Sequence, residues 1–400
     1  MRSLTIKPAA RNAIFIGGMC SISYLAVYIA RNMLSSTSTQ MEELGAFSVA
    51  QLGTLSSVYF ITYACGQLIN GWIGDKIKAK YMISFGLILA GICNAVFSLL
   101  TIPMASYICY GVSGFFLSMI YGPMTKVVAE NTEPHYATRC SLGYTFASLL
   151  GTPAAGLIAV ILAWQAAFQV TGVSLIIMGL VALFAFTLLE KKGIISYNRT
   201  FKPKETGGKI QVLLKRGIIK FTIIAIVTGV VRTAVVFWLP TYLAQHLGFS
   251  SKTATLLYTV STFVISFTSF LAVFIYERLK RNMDLAIFLY FICSTAFFIL
   301  VLLVRQPTMN IILLVLAIMA GKAADSMMWC RYCPSLYDTG MVSTATGYLD
   351  FLSYMAAAAS SSIFANSVSQ VGWTGLILIW AGLMAVGIGV SIPKKVKSAE

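Results

Sequence analysis

Two arginines stand alone in long apolar segments of this 400-residue chain. Arg31 belongs to SYLAVYIARNM, residues 23–33, and Arg232 to FTIIAIVTGVVRTAVVFWLPTYL, residues 221–243. A guanidinium at the centre of a membrane helix costs about 2.5 kcal/mol on insertion scales, so a retained one usually faces a cavity or a partner. Tyr24, Tyr28 and Arg31 are spaced i, i+4 and i+7 and therefore share one helix face. We predict that this face is the floor of a water-filled anion site.

The balance of charges inside the apolar segments also favours an anionic ligand. With Lys126 and Lys220, at the ends of their segments, counted with the loops, these segments contain two anions, Asp325 and Asp350, and four cations, Arg31, Arg232, Lys322 and Arg331. No carboxylate falls within an apolar segment of the first half, so we expect a ligand to supply the counter-charge of Arg31. The planar fork of arginine makes two parallel hydrogen bonds to phosphate, which lysine cannot do. The sequence therefore predicts a small anionic substrate, with phosphate as its expected charged group.

A structural alternative remains open for the same charges. Arg31 and Arg232 could pair with Asp325 or Asp350 in a dry ion-pair network, because buried charges in membranes often pair with one another. Lys322 and Asp325, spaced i and i+3, could likewise form a structural ion pair or a gate. Replacing Arg31 by lysine separates a ligand site from a structural network.

The elements that position these residues are membrane helices. The chain is 58% hydrophobic and only 10% charged, whereas soluble domains are about 25% charged. Runs of about 20 apolar residues can span a membrane, and twelve such runs predict an all-α membrane protein with twelve transmembrane helices. They lie near residues 13–36, 51–73, 81–101, 104–128, 140–163, 166–189, 218–243, 253–276, 285–304, 309–333, 342–366 and 371–392.

The distribution of basic residues predicts the orientation in the membrane. Of the 29 lysines and arginines, 23 fall on the side that holds both termini, and two, Lys252 and Arg305, fall on the other. The positive-inside rule therefore places both termini in the cytoplasm and predicts a cell or inner membrane protein. An even number of spans requires both termini on one side as well. Topology alone explains the basic excess, so we expect no nucleic-acid partner.

A basic, polar segment divides the predicted spans into two sets of six. The segment KKGIISYNRTFKPKETGGKIQVLLKRG begins at residue 191 and is broken by glycine and proline. We predict a first six-helix bundle over 1–190, a cytoplasmic linker over 191–217 and a second bundle over 218–400. Arg31 and Arg232 occupy the first span of each half, which suits two pseudo-symmetric bundles with a substrate site at their interface.

A charged motif ends the second predicted span, in GWIGDKIKAK, residues 71–80. Its Asp75 could cap the N-terminus of the next helix or pair with a neighbouring basic residue, and so hold the cytoplasmic side in one conformation. A solvated charged turn is the alternative. We therefore treat Asp75, Asp325 and Asp350 as candidate gating or coupling residues.

Enzymatic and metal-dependent functions find little support in the sequence. Five of the eight cysteines lie singly in apolar spans, and Cys330 and Cys333 form a C-x-x-C pair within a predicted membrane helix without a nearby histidine. The two histidines, His135 and His246, fall in predicted loops, and no P-loop or Ser-His-Asp set is present. We expect no catalytic residue, no metal and no cofactor.

With these residues laid out, the chain resembles the organophosphate:phosphate antiporter family of the major facilitator superfamily. The resemblance covers nearly the whole chain and is carried by YLAVYIARN, TYACGQLINGWIGDKIKAK, IYGPMTKVV, RTAVVFWLPTYL and STATGYLDFLSYMAAAASS. It implies the major facilitator fold and exchange of a phosphate ester for inorganic phosphate by rocking of two bundles.

The resemblance also implies roles for particular residues. Arg31 and Arg232 would hold the phosphate, and Tyr24, Tyr28, Tyr63 and Tyr354 would line the pocket. The chain departs from the family at Gln67, where a lysine is usual, at Thr145 and Phe146, near a histidine of the glycerol-phosphate carrier, and at Tyr121-Gly122-Pro123, where Trp-Pro-Pro is usual. Lys322 would be the cation that replaces the missing lysine.

Three functions remain to be separated. The first is an antiporter of a phosphorylated metabolite, with inorganic phosphate as counter-substrate and the lipid bilayer as its only other partner, acting as a monomer. The second is a proton-coupled symporter of a carboxylated or sulfonated sugar, with Asp325 or Asp350 carrying the proton. The third is a transporter-like membrane sensor, which the short loops and lack of an appended domain disfavour.

Overall fold

The first half of the protein forms a continuous series of helices. The computed structural model describes residues 8–197 and 209–393. Up to residue 197 the helices are α1 (Pro8–Glu43), α2 (Val49–Lys76), α3 (Ala79–Phe97), α4 (Pro103–Leu117), α5 (Tyr121–Asn131), α6 (Pro134–Ile161) and α7 (Trp164–Lys191).

The second half is also helical, but two of its helices contain π-helical turns. The elements are α8 (Lys209–Lys215), α9 (Ile218–Val230), a π turn (Val231–Val235), α10 (Val236–Gln245), α11 (Ser251–Ser266), α12 (Thr268–Arg278), α13 (Met283–Leu303), α14 (Pro307–Met327), a second π turn (Met328–Tyr332), α15 (Cys333–Ser335), a 3₁₀ turn (Tyr337–Thr339) and α16 (Val342–Ser391).

Local sequence explains where several helices begin. Pro103, Pro134 and Pro307 occupy the first helical position, where a missing N–H costs nothing. Ser48 caps α2 in a reciprocal capping box with Gln51. These residues fix the short connections that set neighbouring helices side by side.

The described helices group into twelve segments that follow the apolar runs predicted from hydropathy. The twelve segments result from dividing α16 at Gly372 and joining four pairs of consecutive helices. These pairs are α4 with α5, α9 with α10, α11 with α12 and α14 with α15. Gly372 has a φ of +66°, which interrupts helical geometry between spans eleven and twelve. By length and composition ten of the described helical segments could cross a membrane, and Ile218–Val230 is a shorter apolar helix. The prediction of an all-α membrane fold is confirmed.

One detail of the fourth span differs from the prediction. The helix continues to Asn131 rather than ending near residue 128, since its terminating Pro134 lies further along the chain. Glu130 is therefore buried within α5, with 8% of its surface exposed. The first half of the protein thus contains a buried helical carboxylate, contrary to the expectation above.

The chain divides into two compact units. The first contains Met1–Val212 and Tyr332–Phe351, and the second contains Leu213–Arg331 and Leu352–Glu400. In the first unit α1 packs on α6 and α3 on α7, and in the second α13 packs on α14. Helix α16 gives its first ten residues to the first unit and the remainder to the second. The predicted bundle limits at residues 190 and 218 stay a prediction.

Candidate functional site

In the first unit, the guanidinium of Arg31 lies among aromatic rings. Its Cζ atom is 5.0 Å from the ring centroid of Tyr63, 5.5 Å from Tyr28 and 5.4 Å from Phe60. Cation–π contacts of this kind contribute about 0.5–2 kcal/mol each, according to how far they are shielded from water. Aromatic rings from α1 and α2 therefore lie around the half-buried guanidinium of Arg31.

The predicted tyrosines of α1 join this aromatic cluster. Tyr24 contacts Tyr28 edge-on at 5.0 Å and stacks on Tyr121 of α5 at 5.4 Å. Tyr63 is 1% exposed and Tyr24 8% exposed. The structure thus brings Tyr24, Tyr28, Tyr63 and Arg31 together within one unit.

Gln67, which replaces a lysine of the resembled family, lies one helical turn after Tyr63 on α2. The residue is 1% exposed, and its Nε2 atom finds no hydrogen-bond partner within the described part of the chain. A buried amide without a partner costs about 1–3 kcal/mol. Gln67 therefore has hydrogen-bonding capacity that residues 8–197 and 209–393 do not use.

In the second unit, Arg232 sits on the π turn that follows α9. Its Nη2 donates a 3.1 Å hydrogen bond to Oγ of Ser353, and its Cζ lies 5.3 Å from the ring centroid of Tyr354. Its Nη1 is 4.0 Å from Oδ2 of Asp325 on α14. Arg232 therefore faces a carboxylate of its own unit as well as a hydroxyl and an aromatic ring.

Asp325 is buried, with 6% of its side chain exposed. Nε1 of Trp329 donates a 2.9 Å hydrogen bond to Oδ1, and the hydroxyl of Thr228 lies 3.1 Å from the same oxygen. Lys322 is half-buried one turn earlier on α14. Among the described residues, Asp325 forms an ion pair with Arg232 at 4.0 Å and does not form one with Lys322.

Asp75 at the end of α2 caps a helix distant in sequence. Its Oδ1 accepts a 2.9 Å hydrogen bond from the backbone N–H of Ser343, and its Oδ2 accepts a 2.8 Å bond from that of Thr344. These N–H groups lie in the first turn of α16, where a negative charge also complements the helix dipole. Nζ of Lys126 donates to the backbone carbonyls of Gly74 and Asp75, at 3.2 and 2.8 Å. The capped helix is therefore α16 and not α3.

Close packing of α2 on α16 accompanies this cap. A Cβ atom on Gly71 would lie 2.8 Å from the carbonyl oxygen of Ser343 and 3.1 Å from Cα of Gly347, and a Cβ on Gly347 would collide with the carbonyl oxygen of Gln67. Asp350 follows in the same part of α16 and is 6% exposed. The predicted residues Gln67, Asp75 and Asp350 therefore belong to one unit with Arg31.

Several residues of these clusters were not predicted. Phe60 and Tyr121 belong to the Arg31 cluster, and Thr228, Trp329 and Ser353 to the Arg232 cluster. Aromatic and hydroxyl residues are common in membrane helices, so residue type alone does not identify these five as members of a site. Their positions depend on helix pairing and on the two π turns, which hydropathy does not encode. Among the described residues, no group of three or more histidine, cysteine or acidic side chains could hold a metal ion.

Ten of the described helical segments are long and apolar enough to cross a membrane, which defines an integral membrane protein. The sequence matches the Major Facilitator Superfamily profile over residues 20–361, so the chain belongs to that superfamily.

The similar proteins include transporters of phosphorylated compounds and a membrane sensor. The chain is 24% identical to the phosphoglycerate transporter protein of Salmonella typhimurium, over 91% of this chain and 85% of that protein. It is 26% identical to the glycerol-3-phosphate transporter of Bacillus subtilis, over 60% of this chain and 59% of that protein. A shorter match, 26% identical over 24% of this chain and 22% of the other, is to the membrane sensor protein UhpC of Escherichia coli.

Solved structures share the fold. The transporter FucP in its outward conformation superposes with a TM-score of 0.70 at 16% identity, over 95% of this chain and 99% of that one. The human organic anion transporter MFSD10 gives a TM-score of 0.67 at 15% identity, over 97% of this chain and all of the other. At these identities the likeness establishes the fold alone.

Proposed function

We propose that this protein is a secondary transporter that exchanges a small phosphorylated metabolite for inorganic phosphate by alternating access. The observation that carries the proposal is the aromatic setting of Arg31. The rings of Tyr28, Phe60 and Tyr63 stabilise the guanidinium without neutralising it, because they have no formal charge. Arginine suits a doubly charged oxyanion because its planar fork makes two parallel hydrogen bonds to it.

The similar proteins support the same substrate class. The phosphoglycerate transporter resembles this chain over most of both lengths, and the partial match to the hexose-6-phosphate:phosphate antiporter of E. coli is 29% identical over 29% of this chain and 26% of that protein. Three-carbon phosphate esters are therefore the first substrates to test. In this proposal Arg31 and Arg232 bind the phosphate, and Tyr24, Tyr28, Tyr63, Gln67, Lys322 and Tyr354 line its site.

The proposal includes a cellular setting. The protein would act as a monomer in a cell or inner membrane, with both termini in the cytoplasm as the distribution of lysine and arginine predicts. Asp75 would contribute to closing the predicted cytoplasmic side, since its carboxylate joins α2 to the start of α16.

One observation favours a second candidate, a proton-coupled symporter of an organic anion. Asp325 is a buried carboxylate 4.0 Å from Arg232, and intramembrane carboxylates beside cations often carry protons in transporters. Such a protein would need no internal phosphate and would respond to a pH gradient.

Counterflow in proteoliposomes distinguishes the two candidates. Vesicles containing the purified protein are loaded with inorganic phosphate, and uptake of labelled 3-phosphoglycerate, glycerol 3-phosphate and glucose 6-phosphate is measured. We expect uptake to require internal phosphate and to persist when a protonophore collapses the pH gradient. Uptake that follows an inward proton gradient without internal phosphate would establish the second candidate instead. Binding without any uptake would indicate a sensor.

Lysine substitutions test the arginines directly. Arg31→Lys and Arg232→Lys should each reduce phosphate-ester uptake by about tenfold or more, because lysine loses the bidentate geometry. Arg278→Lys is a matched control, since Arg278 also lies over a ring, 5.2 Å from Phe274, but is exposed at the end of α12. Unchanged uptake in Arg31→Lys would refute the proposed role of that residue.

A further inference from the structure

The separation of Arg232 from Asp325 is larger than an unrestrained buried pair would adopt. Charge-assisted hydrogen bonds between guanidinium and carboxylate groups are about 2.7–2.9 Å long and frequently bidentate. Here Oδ2 of Asp325 stops 4.0 Å from Nη1 of Arg232, although 6% of the aspartate side chain and 24% of the arginine side chain are exposed. The carboxylate therefore stops short of a direct hydrogen bond to the arginine.

The hydrogen bonds to the other carboxylate oxygen explain the separation. Nε1 of Trp329 donates to Oδ1 at 2.9 Å, and the hydroxyl of Thr228 lies 3.1 Å from that oxygen. The Thr228 hydroxyl has one proton, which it also directs to the carbonyl of Ile224 at 2.7 Å. The indole N–H of Trp329 is therefore the stronger of the two restraints on Asp325.

The local backbone places these groups. Trp329 follows Asp325 by four residues, at the spacing where side chains on one helix face meet. It lies in the π turn Met328–Tyr332, and Arg232 lies in the π turn Val231–Val235. Single π turns inside longer helices recur at functional sites because the extra residue re-aims the side chains of that turn.

We propose that Trp329, assisted by Thr228, is a positioning residue that holds the Asp325 carboxylate back from Arg232, so that a substrate anion and not Asp325 takes the guanidinium. The inference rests on the proposed function, in which Arg232 binds the substrate phosphate. Asp325 then offsets part of the charge of Arg232 from a distance, and the ligand makes the close contact with the guanidinium. Trp329 thereby sets how strongly the protein's own carboxylate competes with substrate.

The proposal predicts effects of opposite sign for two substitutions. The probe is inorganic phosphate, titrated by calorimetry into the purified full-length protein. Trp329→Phe frees Asp325 to close on Arg232 and should weaken phosphate binding by about tenfold, the equivalent of one charge-assisted hydrogen bond. Asp325→Asn removes the competitor and should tighten phosphate binding. Asp284→Asn is the matched control, because Asp284 pairs with Lys220 at 3.0 Å in the same unit, and it should leave binding unchanged.

The double variant separates positioning from direct contact. When Asp325→Asn is already present, Trp329→Phe should alter phosphate binding less than twofold, since no carboxylate remains to be held. An equal loss in both backgrounds would overturn the proposal, because Trp329 would then act on the ligand or on the fold. Weaker binding in Asp325→Asn would overturn it as well. If Trp329→Phe does not fold, Thr228→Val provides the same test, with a smaller loss expected in the same direction.

A ligand-free measurement keeps this inference distinct from the proposed function. Phenylglyoxal modification of Arg232, followed by peptide mass spectrometry, reports how accessible the guanidinium is without substrate. Relative to the native protein, labelling should be slower in Trp329→Phe and faster in Asp325→Asn. If the native protein does not bind phosphate, the proposed substrate is wrong, and this labelling still decides the role of Trp329. Equal labelling in Trp329→Phe and the native protein would reject that role.

Discussion

The carboxylate of Asp75 accepts a 2.9 Å hydrogen bond from the backbone N–H of Ser343, 268 residues further along the chain. With the 2.8 Å bond from Thr344, this contact ties the end of α2 to the first turn of α16. Each carboxylate oxygen accepts a hydrogen bond from a different N–H group, so both oxygens of Asp75 contribute to the cap.

Replacing Asp75 should loosen the start of α16 in two steps. Asp75→Asn keeps one acceptor oxygen and loses the charge, whereas Asp75→Ala loses both hydrogen bonds. In Asp75→Ala we expect the amides of Ser343 and Thr344 to exchange hydrogen at least about fivefold faster, because the lost cap contributes roughly 1 kcal/mol. In Asp75→Asn the increase in exchange rate should be smaller. Hydrogen exchange with mass spectrometry measures both. The amide of Leu285, capped by Asn282 at 3.1 Å, should exchange as before; an unchanged rate at Ser343 would show that the cap contributes nothing.

Gly347 should not tolerate a side chain. A methyl group there would collide with the backbone carbonyl of Gln67, which a side-chain rotation cannot relieve. We expect Gly347→Ala to destabilise the protein by about 1–3 kcal/mol, read as a lower thermal unfolding temperature. Gly18→Ala is the control, because a methyl group on Gly18 would have no heavy atom within 4 Å and alanine favours helix by up to about 1 kcal/mol. Equal unfolding temperatures for the two variants would contradict the close packing of α2 on α16.

Tyr63 should support Arg31 through its ring and not through its hydroxyl. The ring centroid lies 5.0 Å from the guanidinium carbon, so Tyr63→Phe keeps the contact and Tyr63→Leu removes it. We expect phosphate affinity in Tyr63→Phe within about threefold of the native value, and a loss of roughly 0.5–2 kcal/mol in Tyr63→Leu. Calorimetric titration distinguishes them. A loss as large in Tyr63→Phe as in Tyr63→Leu would assign the effect to the hydroxyl.

Glu190 should stabilise the first unit by joining α7 to the start of α3. Its oxygens lie 2.9 Å from Nζ of Lys78 and 2.6 Å from Nζ of Lys80, whose side chain is 8% exposed. Glu190→Gln leaves Lys80 without this counter-charge and should cost about 1–3 kcal/mol, measured by thermal unfolding at neutral pH.

The contact between Glu190 and Lys78 also predicts how the stability of the protein depends on pH. The hydrogen bond and charge of Glu190 raise the pKa of Lys78 above its ordinary value. The contribution of Lys78 is therefore complete below the unfolded lysine pKa of about 10.4 and is lost as pH rises through the raised folded pKa. The stability difference between native protein and Glu190→Gln should not shrink between pH 7 and pH 9 on account of Lys78; a decline in that range would contradict the raised pKa.

Hydropathy predicted the all-α fold because it is a property of whole helices. Apolar runs of about 20 residues are long enough to span a membrane, and the helices of the described residues follow those runs closely. The burial of Glu130 escaped prediction because one charged residue at a helix end changes the hydropathy of its segment very little. The interruption of α16 at Gly372 depends on one backbone angle.

Candidate residues could be selected from the sequence where their types are rare, but their neighbours, which depend on geometry, could not. Arg31 and Arg232 stand out since arginine is costly in hydrocarbon, and spacing along α1 indicated the shared face of Tyr24, Tyr28 and Arg31. The partners of Asp325 depend on π turns whose sequences resemble ordinary helix. Asp75 was recognisable as a capping residue, but its partner lies in α16 because tertiary packing, and not sequence distance, brings N–H groups to a carboxylate.

The turns Val231–Val235 and Met328–Tyr332 also bear on how this chain tolerates changes in length. A single π turn carries one residue more than ordinary helical winding, so removing one amino acid there lets the turn relax to α-helix while the helix beyond it keeps its register. The same deletion in an ordinary stretch of helix would rotate every side chain beyond it by about 100° around the axis. These two turns are therefore the positions in their helices where we expect the loss of a single residue to be tolerated best.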